Sequence, residues 1–89
     1  MSAVYIRCKV SLGLFDTEYY VRVNGSSGYY VGKDNVKVQQ TPQGQQSVEG
    51  RVRGYLIEKK KGKALVELPG EAVVGGLRAW VETADLTAG

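Results

Sequence analysis

The chain has 89 residues, 43% of them apolar and 24% charged, with a net charge of +3 and an isoelectric point of about 9.1. That length holds one domain, residues 1–89, with a small core, and that balance excludes a disordered chain. A single cysteine, Cys8, excludes an internal disulfide and a thiolate metal cage, and the absence of histidine removes Ser-His-Asp and Cys-His relays.

The first element is written in period two. Val4, Ile6, Cys8, Val10, Leu12 and Leu14 alternate with Arg7, Lys9 and Ser11, which predicts a strand with one buried face. "FDTE" (15–18) turns the chain. "YYVRV" (19–23) is a second strand with Tyr19, Val21 and Val23 inward and Tyr20 and Arg22 on the opposite side. "NGSSG" (24–28) is a hairpin loop, because Asn-Gly tolerates the positive φ that tight hairpins need. "YYV" (29–31) and "VKV" (36–38) give one bent strand or two short ones. The stretch "QQTPQGQQS" (39–47), rich in glutamine and broken by Pro42 and Gly44, reads as an exposed, mobile connector.

The second half follows the same plan. "VRGYLI" (52–57) is a strand, with a bulge expected at Gly54 where the alternation slips. "EKKKGK" (58–63) is a charged hairpin turn and "ALVEL" (64–68) a strand. "PGEAVVGG" (69–76) reads as a loop, since Pro69 stops ladder pairing. "LRAWV" (77–81) is the last strand, and "ETADL" closes with a short helical turn that tucks Leu86 against the core. No helical periodicity extends beyond about two turns.

"YYVGKDNV" (29–36) and "AWVETADL" (79–86) share a pattern: Tyr30 matches Trp80, Val31 matches Val81 and Val36 matches Leu86. Val21 aligns with Val66, and Val10 with Val52. The expectation is two similar three-stranded halves, residues 3–38 and 48–87, joined by the connector 39–47. Neither half covers its apolar face alone, because a sheet of two or three strands is marginal in water. The architecture expected is therefore all-β: a small antiparallel barrel or two-sheet sandwich of about six strands. The second half, with its hairpins and the terminal V-E-T-A-D-L turn, resembles SH3-like small barrels in outline. That resemblance is architectural, covers about half the chain and implies no particular function.

Chemistry has few footholds. Cys8 sits on the apolar face of the first strand and reads as a small buried hydrophobe. The carboxylates Asp16, Glu18, Asp34, Glu82 and Asp85 are scattered at turns and strand ends, and no His/Cys metal spacing occurs. The reading is a non-enzymatic domain without cofactor or metal. No apolar run approaches the roughly 20 residues that cross a bilayer, and Arg7 and Lys9 interrupt the place of a signal peptide's apolar stretch. A cytoplasmic location and no membrane partner are expected.

A stronger constellation combines bases with aromatic rings. Tyr20, Tyr30 and Trp80 lie on the opposite parity from their inward neighbours, with Arg22 beside Tyr20 and Arg78 beside Trp80. Such residues are enriched at protein interfaces, so Tyr20, Arg22, Tyr30, Arg78 and Trp80 form the expected contact surface for a protein partner or a second copy. The alternative is nucleic acid, single- or double-stranded, because rings beside guanidinium groups also stack bases. Residues 51–63 carry +5 while the rest of the chain carries −2. On that alternative Arg51, Arg53, Lys59, Lys60, Lys61 and Lys63 contact phosphates. The protein-interaction reading is ranked first because a charge of +3 is modest.

Overall fold

Alternation and β-branched side chains build the first strand. In the computed structural model, which describes residues 2–88, β1 spans Ser2–Leu12 and buries Val4, Ile6, Cys8 and Val10 while exposing Arg7 and Lys9. β2 (Glu18–Val23) and β3 (Ser27–Gly32) form a hairpin that buries Tyr19, Val21, Val23, Tyr29 and Val31. Its turn holds Asn24 at φ 49° and Gly25 at φ 80°. A 3-10 turn, Lys33–Asn35, leads into β4 (Val36–Val38). The second half comprises β5 (Val48–Lys60), β6 (Lys63–Glu67), β7 (Glu71–Val74), β8 (Arg78–Glu82), a 3-10 turn at Thr83–Asp85 and β9 (Leu86–Ala88).

All pairings are antiparallel. The sheet runs β7-β3-β2-β1-β5-β6-β8, with β4 added to β5 and β9 added to β1. β1 and β5 lie side by side at the centre, with Ile6 opposite Val52. On its other side β1 meets β9 at Val4–Ile6 and then β2 from Lys9 to Leu12. β5 likewise meets β4 from Gly50 to Val52 and β6 from Tyr55 onward. Each central strand therefore leaves one group of neighbours and joins another, which curls the sheet into a half-barrel. The middle of the molecule is a four-stranded region, β9-β1-β5-β4, in which each half donates its short last strand to the first strand of the other. Val52 meets β4 at Val36 as Ile6 meets β9 at Leu86.

The concave side is filled by one cluster dominated by valine, with Ile6, Tyr29 and Leu68 as its largest members apart from Tyr19. Valine suits this place, because a branched Cβ packs on a pleated surface at little rotamer cost. Tyr29 is fully buried and its hydroxyl donates to the Gly76 carbonyl oxygen at 2.8 Å, which satisfies the phenol inside the core.

The architecture is all-β as expected, but the described residues form nine strands rather than about six. β4 is the second of the two short strands expected at "YYV" and "VKV", set off from β3 by the 3-10 turn, whereas β9 is three residues long, too short for alternation to distinguish it from a turn. β7 falls in the stretch read as a loop; it pairs outside β3, Tyr30 opposite Glu71, and covers an edge that would otherwise stand open. The halves hold four and five strands, not three each. The bulge lies between Leu56 and Glu58, while Gly54 stays in register opposite Val4. β1 ends at Leu12, so Leu12 and Leu14 do not continue its buried face; Leu14 is 71% and Phe15 69% exposed. In the connector, Pro42 is fully buried, so that segment is pinned at its middle rather than loose throughout.

Candidate functional site

The outward residues of the middle strands are set by register. Arg7 of β1 stands opposite Arg51 of β5, and Arg51 stands opposite Lys37 of β4. Three cations thus occupy one row across three adjacent strands. In the next row toward the β1 N-terminus, Tyr5 faces Arg53; in the other direction, Lys9 faces Glu49 on one side and Arg22 on the other. All of these charged side chains are exposed. Among the described residues, the three outward rows from Tyr5–Arg53 to Lys9–Glu49 on β1, β4 and β5 present five cations (Arg7, Lys9, Lys37, Arg51, Arg53) and the single carboxylate Glu49.

Like charges directly opposite one another destabilise a sheet, and local contacts offset this only in part. Glu49 Oε1 lies 2.7 Å from Lys9 Nζ and Oε2 lies 3.4 Å from Arg7 Nε. The hydrogen bonds from Lys9 and then Arg7 hold the Glu49 carboxyl below its ordinary pKa. Lys37 Nζ sits 4.4 Å from the centre of the Tyr5 ring, a cation–π contact. Arg51 Nη1 donates to Thr87 Oγ1 at 3.3 Å. Among the described residues neither Arg51 nor Arg53 forms an ion pair.

Two grooves open along this face. One, of about 450 Å³, is lined by Arg7, Lys37, Val38, Gln39, Glu49, Gly50 and Arg51. The second, of about 530 Å³, is lined by Lys9, Ser11, Tyr20, Arg22, Gly25, Gln45 and Ser47. Arg7 in the first and Lys9 in the second are adjacent outward positions of β1, so the grooves follow one another along that strand.

The five residues expected to form one contact surface divide into two groups. Tyr20 and Tyr30 are cross-strand partners with ring centres 5.3 Å apart and planes tilted by 58°. Tyr20 lies over Gly28, whose missing Cβ leaves room for the phenol. Arg22 shares this face and its Nη2 donates to the Gly25 carbonyl oxygen at 2.9 Å. Arg78 and Trp80 are on β8, at the other end of the strand order, where Trp80 faces Leu65 and Arg78 Nε lies 3.0 Å from Glu67 Oε1. The curl brings the β2–β3 turn back to β8, and Asn24 Nδ2 donates to the Trp80 carbonyl oxygen at 2.8 Å. That contact is with the backbone of Trp80, a residue that remains 42% exposed.

The basic set divides as well. Arg51 and Arg53 belong to the middle face. Lys59, Lys60, Lys61 and Lys63 belong to the distal β5–β6 hairpin, where Lys63 Nζ lies 2.6 Å from Glu82 Oε1. Sequence reasoning missed Tyr5, Arg7, Lys9, Lys37 and Glu49. Their signal was present, since Arg7 and Lys9 hold the outward parity of β1, but only the β1–β5–β4 register reveals that they converge with Arg51. Comparison of the chain with protein-family models, with curated proteins and with solved structures finds no match.

Proposed function

We propose that this protein is a non-enzymatic binding module that grips the phosphate backbone of nucleic acid on the outward face of β9-β1-β5-β4. One observation carries the reading: the row Arg7–Arg51–Lys37, flanked by Lys9 and Arg53 and opposed by a single carboxylate. Folding alone gains nothing from three directly opposed cations, and each such pairing costs about 0.2–1 kcal/mol. A polyanion laid across the row converts that repulsion into attraction and releases its counterions. Alternate residues on a strand are spaced by roughly 6.6 Å, comparable with successive phosphates of an extended strand. The matched element order of the two halves supports reading them as copies of one unit.

The test is anisotropy of a labelled oligonucleotide titrated with the protein. With five phosphate contacts to a single strand, affinity should fall by about 100-fold between about 50 mM and about 200 mM salt. Arg51→Glu should remove most of the binding, and changing all four hairpin lysines to glutamine should weaken it less. Absence of binding at low salt would end this reading.

A second reading, contact with a protein partner, is favoured by the other end of the sheet. There Trp80, Tyr55 and Leu77 are each at least 40% exposed. A partner held there should be lost on Trp80→Ala and should be nearly indifferent to salt.

A further inference from the structure

We infer that the ligand is single-stranded, and that a base enters the second groove to stack on Tyr20 while its phosphates rest on Lys9 and the Arg7–Arg51–Lys37 row. This rests on the phosphate-binding reading above and adds the class of nucleic acid to it.

The second groove differs in chemistry from the first. The first is bounded mainly by charges and backbone, as a sugar-phosphate chain requires. The second offers an aromatic ring, Tyr20, in the row next to the facing cations Lys9 and Arg22, with Ser11, Gln45 and Ser47 among its other lining residues. Tyr20 is held in place by the tilted ring of Tyr30 and by close packing of its phenol over Gly28. Tyr30 is therefore a positioning residue, and Tyr20 is the ring that lines the groove. Arg22 is in turn tied to the β2–β3 turn through Gly25.

The glutamine-rich connector supplies the far wall. Gln39 lines the first groove, and Gln45 and Ser47 line the second. Between them Pro42 is fully buried, and the Gln43 and Gln46 contacts close a tight turn: Gln46 N donates to the Gln43 carbonyl oxygen at 3.0 Å. The connector is thus pinned along the run of both grooves, with amide and hydroxyl groups suited to the polar edge of a base. A base inside a duplex has both faces stacked and cannot enter such a groove; an unpaired base can.

The experiment uses the full chain and four probes: labelled oligothymidylate, labelled oligouridylate, a duplex of equal length, and inorganic polyphosphate as competitor. The expected result is that one or both single strands bind at least 10-fold more tightly than the duplex; the two arms separate DNA from RNA. Tyr20→Leu should lower single-strand affinity by about 10-fold or more and leave polyphosphate competition unchanged, while Tyr20→Phe should retain binding. Should Tyr20→Leu fail to fold, Ser47→Leu, which fills the groove without altering a strand, should give the same selective loss. Equal binding of duplex and single strand, or a Tyr20→Leu effect that is absent or equal on polyphosphate, would overturn the inference. If Arg51→Glu still abolished binding of every probe, the phosphate-binding reading would stand without it. No binding of any probe at low salt would overturn both.

Discussion

At Gly54 the backbone of β6 and a core side chain both close on the place a Cβ would take. A Cβ there would stand 2.7 Å from the Glu67 carbonyl oxygen and 2.9 Å from Ile6 Cδ1. Neither can yield cheaply, since one is main chain and the other is fully buried. Gly54→Ala should therefore cost about 1–3 kcal/mol, measured by urea unfolding with an unchanged m-value; Gly32→Ala, with nothing within 4 Å, should cost about 0.5 kcal/mol or less. Cys8 offers a titration. Burial, assisted by the Glu49 charge, pushes its thiol from 9.0 up to about 12, and burial raises the Tyr29 hydroxyl in the same direction. A raised folded pKa means that the stabilisation is complete below pH 9.0 and is lost as pH climbs toward about 12. Cys8→Val should keep more of its stability across that window than the parent chain, and the native thiol should resist disulfide reagents until the protein unfolds. The buried place of Cys8 was legible from parity alone. The exposure of Leu12 and Leu14 was not, because parity continues past Val10, where β5 stops covering β1, and past Leu12, where β1 itself ends.

The two hairpin turns are built alike. Asn24-Gly25 and Lys61-Gly62 share φ near 49° at the first residue and 80° at the second. Both residues on the left-handed side are the mark of a type I′ turn, for which Asn-Gly is preferred. Lysine meets the cost of that conformation at position 61 and asparagine largely escapes it at position 24. Lys61→Asn should accordingly stabilise the protein by about 0.5–1 kcal/mol, read as a higher urea midpoint. The hairpins were legible because turn chemistry and alternation agree there. β7 and β9 were not, because they are stabilised by what they pair with rather than by their own pattern. "LTA" (86–88) becomes a strand only because Val4, Tyr5 and Ile6 of β1 stand beside it, and the gain of that ladder is invisible in three residues.

At the scale of the whole molecule the same limit explains what was seen of the site. Composition placed an excess of positive charge in residues 51–63, and parity placed rings outward. The convergence of Arg7, Arg51 and Lys37 comes from three strands distant in the chain. It depends on an exchange in which each half lends its last strand to the other. A consequence is that function and stability oppose one another on this face. Arg51→Glu puts an anion between Arg7 and Lys37, so it should stabilise the fold by about 0.5–1 kcal/mol even as it abolishes binding. A change that harmed both would mark Arg51 as a merely structural residue. The most direct measurement of the central claim is amide proton–nitrogen correlation spectroscopy during titration with a single-stranded oligonucleotide. Shifts are expected at Tyr5, Arg7, Lys9, Lys37, Arg51 and Arg53, with Leu65, Arg78 and Trp80 unmoved. Shifts confined to β6 and β8, with the β1–β5–β4 face unchanged, would contradict it.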